Sequence, residues 1–192
     1  MKKIVAALLA LTLTVGLAAC GNQTTTPDTT TEENLPASAL EILETVWNSY
    51  GEEDKFFTMG GDMENPVDNA PGAFGLTDVE ALTATLLVPA ENAAQIQEAA
   101  SLVHAMNLNN FTCGAYRMAQ GADAAAFAET MYKVIAENRW LCGTPEQMLI
   151  VTIGEAYVVV MFGLKDVIST FQSKLTAAYP MANIRYNEAI TG

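Results

Sequence analysis

Apolar and polar residues alternate along this chain in a few distinct rhythms. Ile4 to Gly16 is an uncharged, apolar-rich run of about 13 residues behind Lys2 and Lys3, and small residues follow it. That is the architecture of a secretory signal over residues 1–19, and it falls short of the ~20 residues a membrane-spanning helix needs. Gly21 to Leu35 holds two runs of three threonines and no apolar residue before Leu35. Such a segment cannot bury enough surface to offset the entropy of ordering, so residues 20–35 read as a tether. From Pro36 to Tyr50 the rhythm turns helical: Leu40, Leu43, Val46, Trp47 and Tyr50 share one face, and Gly51 ends the segment.

Glu52 to Leu76 is broken by glycines, prolines and carboxylates, which predicts an irregular loop with one short extended piece at Phe56 to Met59. Thr77 and Glu80 have capping-box spacing and predict a short helix carrying Val79, Leu82 and Leu86, stopped by Pro89. A short helix or turn is expected to about Ala99. A hairpin then follows from Ser101 to Ala119, turning around Leu108 and Asn109. Asp123 is the predicted N-cap of a helix that buries Phe127, Met131 and Ile135. Met148 to Ile153 and Ala156 to Phe162 flank Gly154-Glu155 as a second hairpin, whose YVVVMF strand implies that both its faces, or one edge, are covered. Leu164 to Ala178 reads as a helix with Val167, Ile168, Phe171 and Leu175 inward, and Met181 to Gly192 adds at most a short extended piece. The order predicts an α+β domain over 36–192. Its antiparallel sheet has about four strands from two hairpins, with helices packed on one face.

Charge narrows the partners. The chain carries 9 Lys+Arg against 22 Asp+Glu, a formal charge of −13. Removing residues 1–19 takes away Lys2 and Lys3, leaving 173 residues at −15. An excess of this size repels phosphate backbones and anionic headgroups, which excludes nucleic acid and a polybasic membrane contact.

Candidate chemistry is sparse. Cys113 and Cys142 either form a disulfide, closing a loop of about 28 residues, or are two buried thiols. Asp62, Glu64, Asn65 and Asp68 place four oxygen-bearing side chains close together as a candidate binding loop. The spacing is not that of an EF-hand, because Val67 and Ala73 stand where its glycine and glutamate belong. No metal or other cofactor is expected. His104 is the only histidine, and a turn at Leu108-Asn109 sets it across from Cys113 as a candidate thiolate pair. Gly-x-Ser-x-Gly, Gly-x-x-x-x-Gly-Lys and Cys-x-x-Cys are all missing from the sequence.

Leu17-Ala18-Ala19-Cys20 resembles the lipobox of bacterial lipoproteins, which implies a diacylglycerol on Cys20 and cleavage before it. Two acyl chains anchor stably where one does not. With the tether and the runs PGAFGLTDVEAL, FTCGAYRMAQG and YVVVMFGLKDVISTFQSKLTAAYP, the chain resembles small lipoproteins of unknown function from Gram-positive anaerobes. Some of those carry the label of bacteriocin transport accessory protein. The resemblance implies no catalytic residues. The expectation is a non-enzymatic accessory or protein-binding lipoprotein on the outer face of the cytoplasmic membrane, with an envelope protein as partner. The alternative is a module binding a small molecule or cation.

Overall fold

The computed structural model describes residues 35–191, which fall in one compact unit. The signal, Cys20 and the tether up to residue 34 lie outside the described residues. Helix α1 (Ala39–Asn48) starts three residues later than Pro36 suggests, because Ser38 caps it: its Oγ accepts from Glu41 N, while the Glu41 carboxylate accepts from Ala37 N. That Ser-x-x-Glu pair satisfies orphan amides at the helix start. The segment after it holds three short strands, β1 (Thr58–Gly60), β2 (Val67–Asp68) and β3 (Gly72–Phe74). Helix α2 (Val79–Leu86) is capped by Asp78 rather than by Thr77, the Asp78 carboxylate accepting from Ala81 N.

Strands β4 (Ile96–His104) and β5 (Phe111–Met118) form the first hairpin, and β4 begins five residues before Ser101. Helix α3 (Ala124–Glu137) is capped by Asp123 as expected. Strands β6 (Gln147–Ile153) and β7 (Tyr157–Gly163) form the second hairpin, followed by α4 (Lys165–Ala178) and β8 (Ala182–Ala189). The sheet therefore has eight strands, not about four. Its order is β2-β1-β4-β5-β7-β6-β8, with β3 also on β4, and every pairing is antiparallel.

The helices cover both faces rather than one. Side chains of α1 and α4 pack with Leu102, Phe111, Cys113, Leu149, Val159 and Met161. Side chains of α2 and α3 pack on the opposite face with Ala99, Tyr116, Ile150, Val158 and Val160. Topology accounts for this. The connection β5-α3-β6 joins parallel strands with β7 between them, and β7-α4-β8 joins parallel strands with β6 between them. Both connections step toward the β8 edge, yet β5 and β7 run in opposite directions. Crossovers of one hand starting from opposed strands must lie on opposite faces. Strand β8 lies at the edge, mostly exposed, and is tied to α3 by the Tyr132–Tyr186 stack, ring centroids 4.3 Å apart. No helix among the described residues is long and apolar enough to cross a membrane.

Candidate functional site

The acidic loop is built around one side chain. The Asp62 carboxylate accepts from Glu64 N (2.9 Å), Asn65 N (2.8 Å), Asn65 Nδ2 (3.4 Å) and Gly75 N (2.7 Å). The Gly75 amide, above the other donors, holds that carboxyl below the usual carboxylate range. Asp68 instead sits in β2 opposite Met59, and Glu64 is exposed. The four candidate oxygen donors do not converge. Among the described residues no group of three or more His, Cys, Asp and Glu is placed to hold a metal ion. Asp62 is a loop staple, and its depressed pKa fixes the sign of its pH dependence. The staple is fully present above the unfolded carboxyl value of ~3.9 and is lost as pH falls through the lower folded value. Asp62→Ala is expected to speed hydrogen exchange at the Gly75 and Asn65 amides about fivefold at pH 6, as loss of a charge-assisted bond at an exposed site implies. Unchanged exchange at both amides would refute the staple.

The two candidate roles for cysteine are corrected. Cys113 lies fully buried under α1 and α4, whereas Cys142 is exposed in the loop after α3; both thiols are free. The hairpin register also differs from the expected one, since Leu102 rather than His104 faces Cys113. His104 faces Thr58 of β1 instead. A wider turn, with a 3-10 segment at Leu108–Asn110, moves the pairing by two residues. The His104 Nδ1 accepts from Met106 N and Asn107 N, which ties it to that turn. Burial pushes the Cys113 thiol far up, away from the thiolate a nucleophile requires.

Two features gather at the end of the sheet where β4 and β7 finish and β5 and β6 begin. Hydrogen bonds join its loops: Ala105 N to Phe57 O, Leu164 N to Asn110 O, and Asn109 Nδ2 to Leu141 O and Gly143 O. The first feature is a cluster of exposed large apolar side chains, Phe57 (55%), Met106 (78%), Leu141 (80%), Leu108 and Leu164. Five of the nine large apolar side chains exposed among the described residues are carried by the loops at this end. The second feature is a cleft of about 180 Å³ lined by Tyr50, Asp54, Phe56, Asp166, Val167 and Thr170. A larger cleft, about 420 Å³, lies at the other end of the sheet, where the side chain of Leu35 reaches Gly154. Its charges oppose one another, Asp123 and Glu155 against Arg185, and Asp123 is already committed as a helix cap. Sequence reading gave Tyr50, Phe56 and Val167 only as residues of separate helical or extended segments and singled out neither Asp54 nor Asp166, because α4 meets that region only through the fold.

No protein-family model, no curated protein and no solved structure matches the chain.

Proposed function

We propose that this chain is a lipid-anchored, extracytoplasmic accessory protein that binds an envelope protein through the sheet end carrying Phe57, Met106, Leu108, Leu141 and Leu164. The exposed apolar cluster is the observation that carries the reading. Acylation at Cys20 and the Thr-rich tether put the domain on the outer face of the cytoplasmic membrane. The chain enters the domain beside Gly154, at the far end of the sheet from the cluster. Seven residues of β7 separate the two ends, on the order of 24 Å at the strand rise. A tether pulling on the Leu35 end thus leaves the apolar end facing outward, toward partners. The proposed role is non-enzymatic, and the buried Cys113 thiol and the turn-bound His104 count against the thiol chemistry in particular.

A photo-crosslinker at Leu141, in the full chain in its own membrane, is expected to give a discrete adduct that the same group at Ile184 on β8 does not. With the crosslinker kept at Leu141, Phe57→Asp with Met106→Asp should abolish the adduct while moving stability by only about 0.5 kcal/mol per site, as exposed substitutions do. Equal labelling from both positions would overturn the docking surface. The anchor has its own test, since labelled fatty acid must enter the wild-type chain and not Cys20→Ser.

A further inference from the structure

We propose that β8 is a self-association edge, on which β8 of a second copy of this chain adds antiparallel about a two-fold axis normal to the sheet. The two rims of the sheet differ. One ends in β2, which is two residues long, and the other in β8, which is eight residues long and pairs only with β6. An open strand of that length is a template for another strand, unless proline, lysine or brevity protects it. The β8 sequence ANIRYNEA has neither proline nor lysine.

Register identifies the free backbone groups. Ile190 N donates to Glu146 O, so Ile190, Glu188 and Tyr186 turn their backbone toward β6, while Asn187 and Ala189 turn theirs outward. Ile150 faces Tyr186 and Val151 faces Ile184, which leaves Arg185 as a bulge. Thr152 is in phase with Ile150 on β6, so past the bulge Asn183 turns in and Ile184 turns out. Among the described residues no hydrogen bond takes the outward N–H of Ile184, Asn187 or Ala189. A bulge often blunts an edge, but here it sorts the charges. Arg185 lines the cleft at the start of α3, Tyr186 stacks on Tyr132 of α3, and the Glu188 carboxylate accepts from the Tyr132 hydroxyl. Arg185 and Glu188 therefore stand on the same face, where an unbulged strand would set residues three apart on opposite faces.

The occupant follows from that sorting. A two-fold axis normal to the sheet returns each face to itself, and outward groups must meet outward groups. A register centred on Tyr186 brings the two Arg185 side chains together, and one centred on Glu188 opposes two carboxylates. The register centred on Asn187 sets Arg185 and Tyr186 of each copy against Glu188 of the other, and Ile184, 39% exposed, against Ala189. Opposite charges across a strand pair stabilise it and like charges do the reverse. Arg185 has no ion pair among the described residues, so it is available for this one. The strand is complementary to itself, end for end, which selects a second copy over an unrelated strand.

Eight residues from each copy are fewer than the ~20–30 of a standard interface, so the dimer is weak. Sedimentation equilibrium of the mature chain carrying Cys20→Ser, with a reductant to keep the exposed Cys142 a thiol, is expected to show half-association between ~10 μM and ~1 mM. Arg185→Glu and Glu188→Arg should each weaken the dimer at least about tenfold, because each sets like charges together at two places, and the double exchange should restore it. Ala189→Pro should weaken it as much with an unchanged thermal midpoint, since the Ala189 N–H points away from β6. On the membrane, a photo-crosslinker at Ile184 should give a self-adduct of twice the chain mass and not the adduct formed from Leu141. The two adducts report different surfaces, so either can fail while the other stands. A chain that stays monomeric to ~1 mM, a dimer indifferent to the charge reversals, or a double exchange that fails to restore it would overturn the proposal.

Discussion

Phe111→Ala is expected to destabilise the domain by about 3–5 kcal/mol, the range for truncating a fully buried aromatic ring. Phe111 has no solvent exposure and opens β5, where its ring lies 5.3 Å from Phe56 and 5.5 Å from Phe171. It is therefore the shared contact between the sheet, the segment before β1 and α4. Phe56 goes on to stack against His104 and to meet Trp47 edge-on. Truncation leaves a hole behind Phe56, which lines the cleft at the start of α4, and the neighbours cannot collapse into it without moving two elements at once. For a domain of this size each kcal/mol moves the thermal midpoint by ~2–4 °C, so a fall of about 6–20 °C is expected. Phe57→Ala is the control: its ring is 55% exposed, and loss of it should cost less than about 0.5 kcal/mol. If the two variants melted alike, the aromatic cluster would not be the keystone described.

How much of this was readable beforehand depended on periodicity. The stripes on α1, α3 and α4 and the two hairpins carried strong patterns, and each element is present. Strand β8 did not announce itself, because ANIRYNEA is mostly exposed at the sheet edge and so lacks the alternation that burial imposes. Strands β1 to β3 are two or three residues each, too short for any period. The face count was legible in one place only. YVVVMF is buried at every position, and a strand apolar on both sides requires cover on both sides. Following that clue would have placed helices on two faces.

The site was less legible than the fold, for a different reason. Asp62, Glu64, Asn65 and Asp68 drew attention by proximity in sequence, but backbone amides use the Asp62 carboxylate and β2 turns Asp68 elsewhere. Asp54 and Asp166 are more than a hundred positions apart and meet only because α4 crosses back over α1. His104 and Cys113 failed through register as well as through burial of the thiol. A two-residue shift keeps side chains on the same face yet changes every opposite partner.

Gly60→Ala is the second large effect. A methyl group at Gly60 would run into backbone atoms of Ala70, Pro71 and Gly72, and one at Gly72 would run into the backbone of Gly60 and Gly61. These glycines face each other where β1 leaves the edge of β4 and β3 joins it, with Gly60 beside Leu102 and Gly72 beside Ser101. Backbone cannot swing aside as a side chain does, so the edge must open, at an expected cost of about 3 kcal/mol or more. The loss spreads inward. The Ser101 hydroxyl donates to Gly61 O at 2.9 Å, and Trp47 Nε1 donates to Asn69 O at 3.0 Å, which binds α1 to the same loop. Trp47 fluorescence should therefore shift toward that of a solvated indole as stability falls. Gly121→Ala separates contact from conformation, because Gly121 has φ +84° with nothing near its would-be methyl group. That change carries only the strain of a left-handed residue, about 1 kcal/mol. Comparable losses in the two variants would mean that backbone strain, and not the crossing of β1 and β3, sets the cost at Gly60.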